Sequence, residues 1–146
     1  MAVSAAPPAE LDRILSALRA RGGRTTSSRR AVVQALLEGP SHVTAEELGA
    51  QVRAALPDLD QSTVYRVLNA LEDAGMVQHV HLGHGPAVYH LSGDVHAHVV
   101  CHRCGAVAEI PGSTLDRLSR DLLRRTGYAL GHQHFSITGT CGACQG

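Results

Sequence analysis

Two Cys-x-x-Cys pairs, Cys101/Cys104 and Cys141/Cys144, constrain this 146-residue chain more than any other feature. Four thiolates brought together are what zinc takes in a closed, tetrahedral structural site. Each pair makes a tight knuckle, with a glycine after it or inside it, Gly105 and Gly142. The long separation between the pairs joins the end of the chain to the first strand of a small domain. Such a site contributes folding free energy directly. Composition shows why that helps: aromatic residues are only 3% and tryptophan is absent, so cores must come from Ala, Val and Leu. The competing reading, two redox dithiols, would need a reactive pair at a helix start, and neither pair has that setting.

The rest of the composition narrows the class. Hydrophobic residues make up 44% of the chain, which places it among folding sequences. No apolar run approaches the roughly 18 residues of a membrane span. The opening MAVSAAPPAELDRIL lacks the basic start and apolar stretch of a secretory signal. A cytoplasmic protein is expected, and in a reducing compartment paired cysteines read as metal ligands before disulfides. Net charge is zero, which argues against a nonspecific polyanion binder, yet charge is segregated. Arg13, Arg19, Arg21, Arg24, Arg29 and Arg30 crowd the N-terminal region against Glu10 and Asp12.

Hydrophobic periodicity predicts a helix from Glu10 carrying Leu11, Ile14, Leu15 and Leu18, ended by Gly22-Gly23. A second helix follows from about Ser27, with Val32, Val33, Leu36 and Leu37 on one face, stopped at Gly39-Pro40. Thr44-Ala45-Glu46-Glu47 has the spacing of a capping box and opens a third helix that carries Leu48, Val52 and Leu56 inward as far as Pro57. Asp60 is positioned to cap a fourth. That last helix has an apolar stripe, Val64, Val67, Leu68 and Leu71, and a second stripe of Ser62, Tyr65, Arg66 and Asn69. Val77–Leu82 and Ala87–Leu91 then alternate as two strands around a Gly83–Pro86 turn. Helices followed by a hairpin in this order predict a winged helix-turn-helix. A helix that buries one face and offers Tyr, Arg, Asn and Ser on the other suits a DNA major groove.

After Gly93 the composition changes. Val99–Val100 and Ala106–Ile110 read as strands, and Ser113–Arg125 as an amphipathic helix with Leu115, Leu118, Leu122 and Leu123 apolar. A further strand region is expected over 128–138. The fold class is therefore α+β: a flexible tail over 1–9, a winged-helix DNA-binding domain over 10–91, and a small α/β domain over 95–146 carrying the four-cysteine zinc site.

Histidine is the second signal. Seven of the chain's ten histidines fall between His79 and His102. His96-x-His98 on a strand places two imidazoles on one face about 7 Å apart. His79-x-His81 repeats the pattern on the first wing strand. Both are natural grips for zinc, nickel, iron or copper. His90, His134 and His42 are further donors; His84, His102 and His132 read as ordinary side chains. Nothing marks an enzyme: no His-Glu-x-x-His, no Ser-His-Asp order and no phosphate loop is present, and Asp94 and Glu109 are the only acids near the imidazoles.

From about residue 11 to Cys144 the chain resembles the Fur family of metal-responsive repressors. The stretches that carry the resemblance are HVTAEEL (42–48), STVYRVLNALEDAGMV (62–77), HLGHGPAVYHL (81–91), HAHVVCHRCG (96–105) and GTCGAC (139–144). The resemblance implies that 95–146 is a dimerisation and metal-binding domain, in a homodimer that binds double-stranded operator DNA, with structural zinc at Cys101, Cys104, Cys141 and Cys144. It implies a regulatory metal between the two domains at His42, His90, His96 and His98, with Glu109 as a possible extra ligand. Iron-responsive relatives usually carry Glu at the place of His90. VQHVHLGHG and the Gln-His-Phe at 133–135 resemble the nickel-responsive Nur branch, which implies a second site at His79, His81 and His134 and favours nickel over iron or zinc. Asp94, Val95 and Ala97 depart from the histidines and acid that relatives carry there. DNA contacts are implied for Tyr65 and Arg66 in the major groove and for Arg24 near the minor groove. An iron- or zinc-responsive repressor or a peroxide sensor of the same family, and a metal-buffering protein with no DNA role, are the alternatives.

Overall fold

A computed structural model describes residues 8–82, 85–93, 96–131 and 136–146, with His96 placed through its backbone. The chain divides into two compact units. One holds the residues up to His79 together with Val88–Ser92; the other holds Val80–Ala87 and Gly93–Gly146.

The first unit is built on four helices, α1 (Pro8–Ala20), α2 (Ser27–Glu38), α3 (Ala45–Arg53) and α4 (Gln61–Asp73). Three strands accompany them, β1 (Val43–Thr44), β2 (Val77–His81) and β3 (Ala87–Leu91), in a sheet of order β1-β3-β2. α1 begins at Pro8, two residues before the expected start, because proline is tolerated in a helix's first turn. It ends where Gly22, at φ 86°, lets its own N–H reach Arg19 O and that of Gly23 reach Leu18 O. The same pair of bonds recurs at Gly75, φ 69°, which turns the chain from α4 into β2.

Four apolar stripes meet in the core. Leu11, Ile14, Leu15 and Leu18 of α1 lie with Val32, Val33 and Leu36 of α2, Leu48 and Val52 of α3, and Val64, Val67, Leu68 and Leu71 of α4. Two details differ from the periodicity. α3 stops at Arg53, and Leu56 is only half-buried while Leu59 takes the buried place; the proline at 57 disfavours helical backbone at the residue before it. β1, too short to show a period, pairs antiparallel with β3 through Val43 and Tyr89.

The second unit contains β4 (His96–Cys101), β5 (Val107–Pro111), α5 (Gly112–Thr126), β6 (Ser136–Gly139) and a short 3-10 turn at Gly142–Cys144. β4 is central, antiparallel to β5 and parallel to β6. It is longer than its apolar centre suggests because pairing runs on from Val100↔Val107 to His96↔Pro111. Of the strand expected over 128–138, the described strand residues are those of β6, Ser136–Gly139. Tyr128–Gly131 is not strand, following the left-handed cap at Gly127, and 132–135 lie outside the described residues. Of the apolar positions on α5 only Leu115 is buried; Leu118 and Leu123 are 43% and 50% exposed. Among the described residues no helix is long and apolar enough to cross a membrane.

The capping box of α3 is complete. Thr44 N–H donates to Glu47 Oε2 at 2.8 Å, and Glu47 N–H donates to Thr44 Oγ1 at 3.2 Å. The bond from the Thr44 backbone holds the Glu47 carboxyl below its ordinary range. That contribution is present above glutamate's usual pKa and is lost as pH falls below it. Thr44→Ala should cost about 1 kcal/mol in urea unfolding at neutral pH. Glu47→Ala, which removes the carboxylate that accepts from Thr44 N–H, should also destabilise at neutral pH, and its gap from wild type should narrow in the same measurement at acid pH.

Candidate metal centres and nucleic-acid interface

The four cysteines converge. Cys101 ends β4 and Cys104 follows one tight turn later, closed by Gly105, whose N–H reaches Cys101 O at 2.9 Å with φ 76°. Cys141 and Cys144 bracket the 3-10 turn, with Cys144 N–H on Cys141 O at 2.9 Å. Parallel pairing of Cys101 with Gly139 sets the two knuckles beside each other. Arg103 Nη1 donates to Cys144 O at 2.6 Å and ties them together. All four sulfurs lie within 4.8 Å of one another, and Cys104 and Cys141 are 3.6 Å apart. A zinc–sulfur distance of about 2.3 Å corresponds to sulfurs about 3.8 Å apart at the corners of a tetrahedron, so the thiols fit the ion.

The thiols are electrostatically unequal. Backbone N–H groups of Cys141 and Cys104 point at Cys101, the first donating to its sulfur at 3.3 Å, and pull its pKa down to about 6. Hydrogen bonding with Cys141, then with Cys104, pushes Cys144 up to about 12. Without metal the Cys101 thiolate therefore forms first. In the reduced, metal-free protein, thiolate absorbance should rise first near pH 6, and Cys101→Ser should delete that step. Zinc affinity should climb with pH above it, because Cys144 must still lose a proton to bind.

The histidines are placed by the strands. His42 precedes β1 and His90 lies on its partner β3, with ring centroids 5.4 Å apart. His98, only 2% exposed, sits on β4 opposite Glu109 of β5. His96 stands two residues earlier on β4, opposite Pro111. Burial along β2 falls on Val77 and Val80 and does not alternate strictly; His79 is half-buried and His81 exposed. His79 Nδ1 bonds to the Glu72 carboxylate of α4, and its ring lies 5.8 Å from that of Tyr89. His134 lies outside the described residues. His102 Nδ1 donates to Gly139 O at 2.7 Å, a structural contact beside the thiols.

The second stripe of α4 is open. Asp60 caps the helix, accepting from Ser62 N–H at 2.8 Å. Ser62, Tyr65, Arg66 and Asn69 are all exposed. Arg66 Nη2 donates to Ser62 Oγ at 3.0 Å, and Tyr65 Oη donates to Glu46 Oε1 at 2.6 Å. Beside the stripe is an open cleft of about 500 Å³, lined in part by Arg24, Thr26, Ser28, Arg29, Thr63 and Arg66. Arg29 Nη1 donates to Arg24 O at 2.9 Å, and Thr26 caps α2 by accepting from Arg29 N–H. Three guanidinium groups and the first turns of two helices make this cleft suited to phosphate. Periodicity and motif alone miss Glu46 and Glu72: both are acids in ordinary helical positions, and only tertiary packing brings them to Tyr65 and His79.

A winged-helix unit joined to a small α+β unit with four convergent thiols defines a class of metal-binding, DNA-binding regulators. Residues 20–138 match the profile of the ferric uptake regulator family, and the chain belongs to that family. Among curated relatives, the peroxide-responsive repressor PerR of Staphylococcus aureus (strain USA300) is 26% identical over 136 residues, covering 93% of this chain and 92% of that protein. Among solved structures, the ferric uptake regulator of Vibrio cholerae is 30% identical with a TM-score of 0.67, covering 86% of this chain and 98% of that one. That of Helicobacter pylori is 23% identical with a TM-score of 0.76, covering 93% and 94%, and its likeness is one of fold.

Proposed function

We propose that the protein is a homodimeric repressor that binds palindromic operators when loaded with a regulatory metal, nickel before iron or zinc, and so controls metal homeostasis genes. The observation that carries this reading is α4. Its apolar stripe is buried and its polar stripe, with Tyr65 and Arg66 at the centre, faces outward next to an arginine-lined cleft. In this reading Ser62, Tyr65, Arg66 and Asn69 enter the major groove, while Arg24 lies near the minor groove. Two copies present two such helices to half-sites about one helical turn apart. The open Leu118 and Leu123 of α5 support assembly with a second copy.

His42, His90, His96 and His98 form the regulatory donor set, with Glu109 as an extra ligand, and His79, His81 and His134 form a second. A divalent cation bound by these donors supplies a charge and a coordination geometry that they satisfy together. The neighbouring rings of His42 and His90, and the pairing of His98 with Glu109, support the first set. Glu72 supports the second by its contact with His79 Nδ1, the kind of outer-sphere carboxylate that orients a metal-binding imidazole. A nitrogen-rich donor set suits nickel, zinc or iron, and the resemblance of VQHVHLGHG to the nickel-responsive branch favours nickel. With the donors satisfied, the spacing of the two recognition helices is held. Without that, the competent arrangement is a minority and apparent operator affinity falls by its fraction. Operator DNA then raises metal affinity by the same factor.

A second reading has one observation behind it. Glu109 puts an oxygen donor opposite His98, and an oxygen-containing site suits the peroxide-responsive regulation named for the Staphylococcus aureus relative. Gel shifts on the chain's own upstream DNA, titrated separately with Ni, Zn, Fe(II) and Mn, separate the two. Retardation at the lowest free nickel supports the first reading; retardation with iron that peroxide abolishes supports the second. His79→Ala with His81→Ala should weaken nickel-dependent retardation at least tenfold while gel filtration still shows a dimer. Unchanged footprints in that double variant would remove the role given to the pair.

A further inference from the structure

Tyr65 stands at the centre of the exposed stripe of α4, and its hydroxyl is already engaged. Its Oη donates to Glu46 Oε1 at 2.6 Å, across from the first turn of α3. A phenol has one proton, and an ionised carboxylate only accepts. Two features keep Glu46 ionised: it lies in a helix's first turn, where negative charge is favoured, and the bond from Tyr65 lowers its pKa. A charge-assisted bond of this length is among the stronger ones in proteins. The phenolic proton is therefore held by Glu46. What Tyr65 presents outward is the acceptor side of its hydroxyl oxygen and the edge of its ring.

Base edges in the major groove are not equivalent to such a group. Adenine N6 and cytosine N4 donate there, whereas guanine N7 and O6 and thymine O4 accept. A tyrosine with a free hydroxyl satisfies either kind by rotating its proton. One whose proton is committed satisfies only donors, and an acceptor placed against it loses its hydrogen bond to water without replacement. We propose that Glu46 sets base specificity: by holding the proton of Tyr65 it makes that side chain an acceptor-only reader, selecting adenine or cytosine and rejecting guanine or thymine at the base it touches. The inference rests on α4 entering the major groove. Glu46 touches no base; it positions the group that does. Its carboxylate also repels the phosphate backbone, so its removal raises affinity for every duplex alike. That uniform gain is separable from a change in preference.

The test is selection from a randomised duplex library by the metal-loaded full-length protein, in four versions: wild type, Glu46→Ala, Tyr65→Phe and the double variant. Wild type is expected to favour adenine or cytosine about three- to tenfold at one position of each half-site, the size of one well-made hydrogen bond. Glu46→Ala should bring guanine and thymine at that position towards parity while leaving the other positions as they were. Tyr65→Phe should lose the same preference, and adding Glu46→Ala to it should change nothing further at that base. Tyrosine absorbance gives a readout without DNA: Glu46→Ala should lower the pH at which one tyrosine ionises, and Tyr65→Phe should remove that tyrosine from the curve. Thermal melting monitors the fold, and the Thr44–Glu47 cap of α3 is untouched by the change. Glu46→Ala that strengthens binding to all duplexes equally with the preference intact overturns the proposal. So does a shift in preference that persists in the Tyr65→Phe background. A wild-type protein that enriches no sequence with any metal instead overturns the operator-binding reading itself.

Discussion

Four sulfurs within 4.8 Å of one another are the constraint on which the second unit depends. Its described apolar core is small: Val80, Ala97, Val100, Cys101 and Leu115 are buried, and α5 keeps two of its leucines in solvent. A three-stranded sheet with one helix and so little buried area gains more from a cross-link than a larger core does. The knuckles supply the closure. They hold the chain's end against the strand that opens the unit, through Cys101↔Gly139 pairing and the Arg103 bond to Cys144. A binding free energy of about 10 kcal/mol or more, typical of structural zinc, is large against the stability of a domain this size.

The first unit solves the opposite problem. Its four helices bury Ile14, Val32, Val33, Leu48, Val64, Leu68 and Leu71 almost completely. No metal is needed to gather them. What the packing accomplishes is orientation: with Val64, Val67, Leu68 and Leu71 turned inward, helical geometry leaves Ser62, Tyr65, Arg66 and Asn69 no other direction than out. The same tight core brings Glu46 of α3 under Tyr65 and Glu72 of α4 against His79. Buried contacts thus set the chemistry of exposed groups.

Where periodicity and capping chemistry act locally, the chain was legible. The Thr44–Glu47 box, the Asp60 cap, the apolar stripe of α4 and the Cys-x-x-Cys knuckles each follow from residues within a turn or two of one another. Signals that need a distant partner were not. β1 is two residues long and exists only because β3 offers an edge. β6, described over Ser136–Gly139, takes its register from β4. The acids at Glu46 and Glu72 look like ordinary helix surface until the fold places a tyrosine and an imidazole beside them. Histidine spacing pointed to metal, and the strands do bring His42 beside His90 and His98 opposite Glu109.

The bond between His79 and Glu72 joins β2 to the last turns of α4. Tyr65 lies seven residues before Glu72, about two helical turns away on the same side of α4. Strand and helix are thereby coupled like a handle and a key. In the function proposed above, a cation that grips this imidazole pulls on the same rod that carries the phenol, which ties the wing to the base contacts.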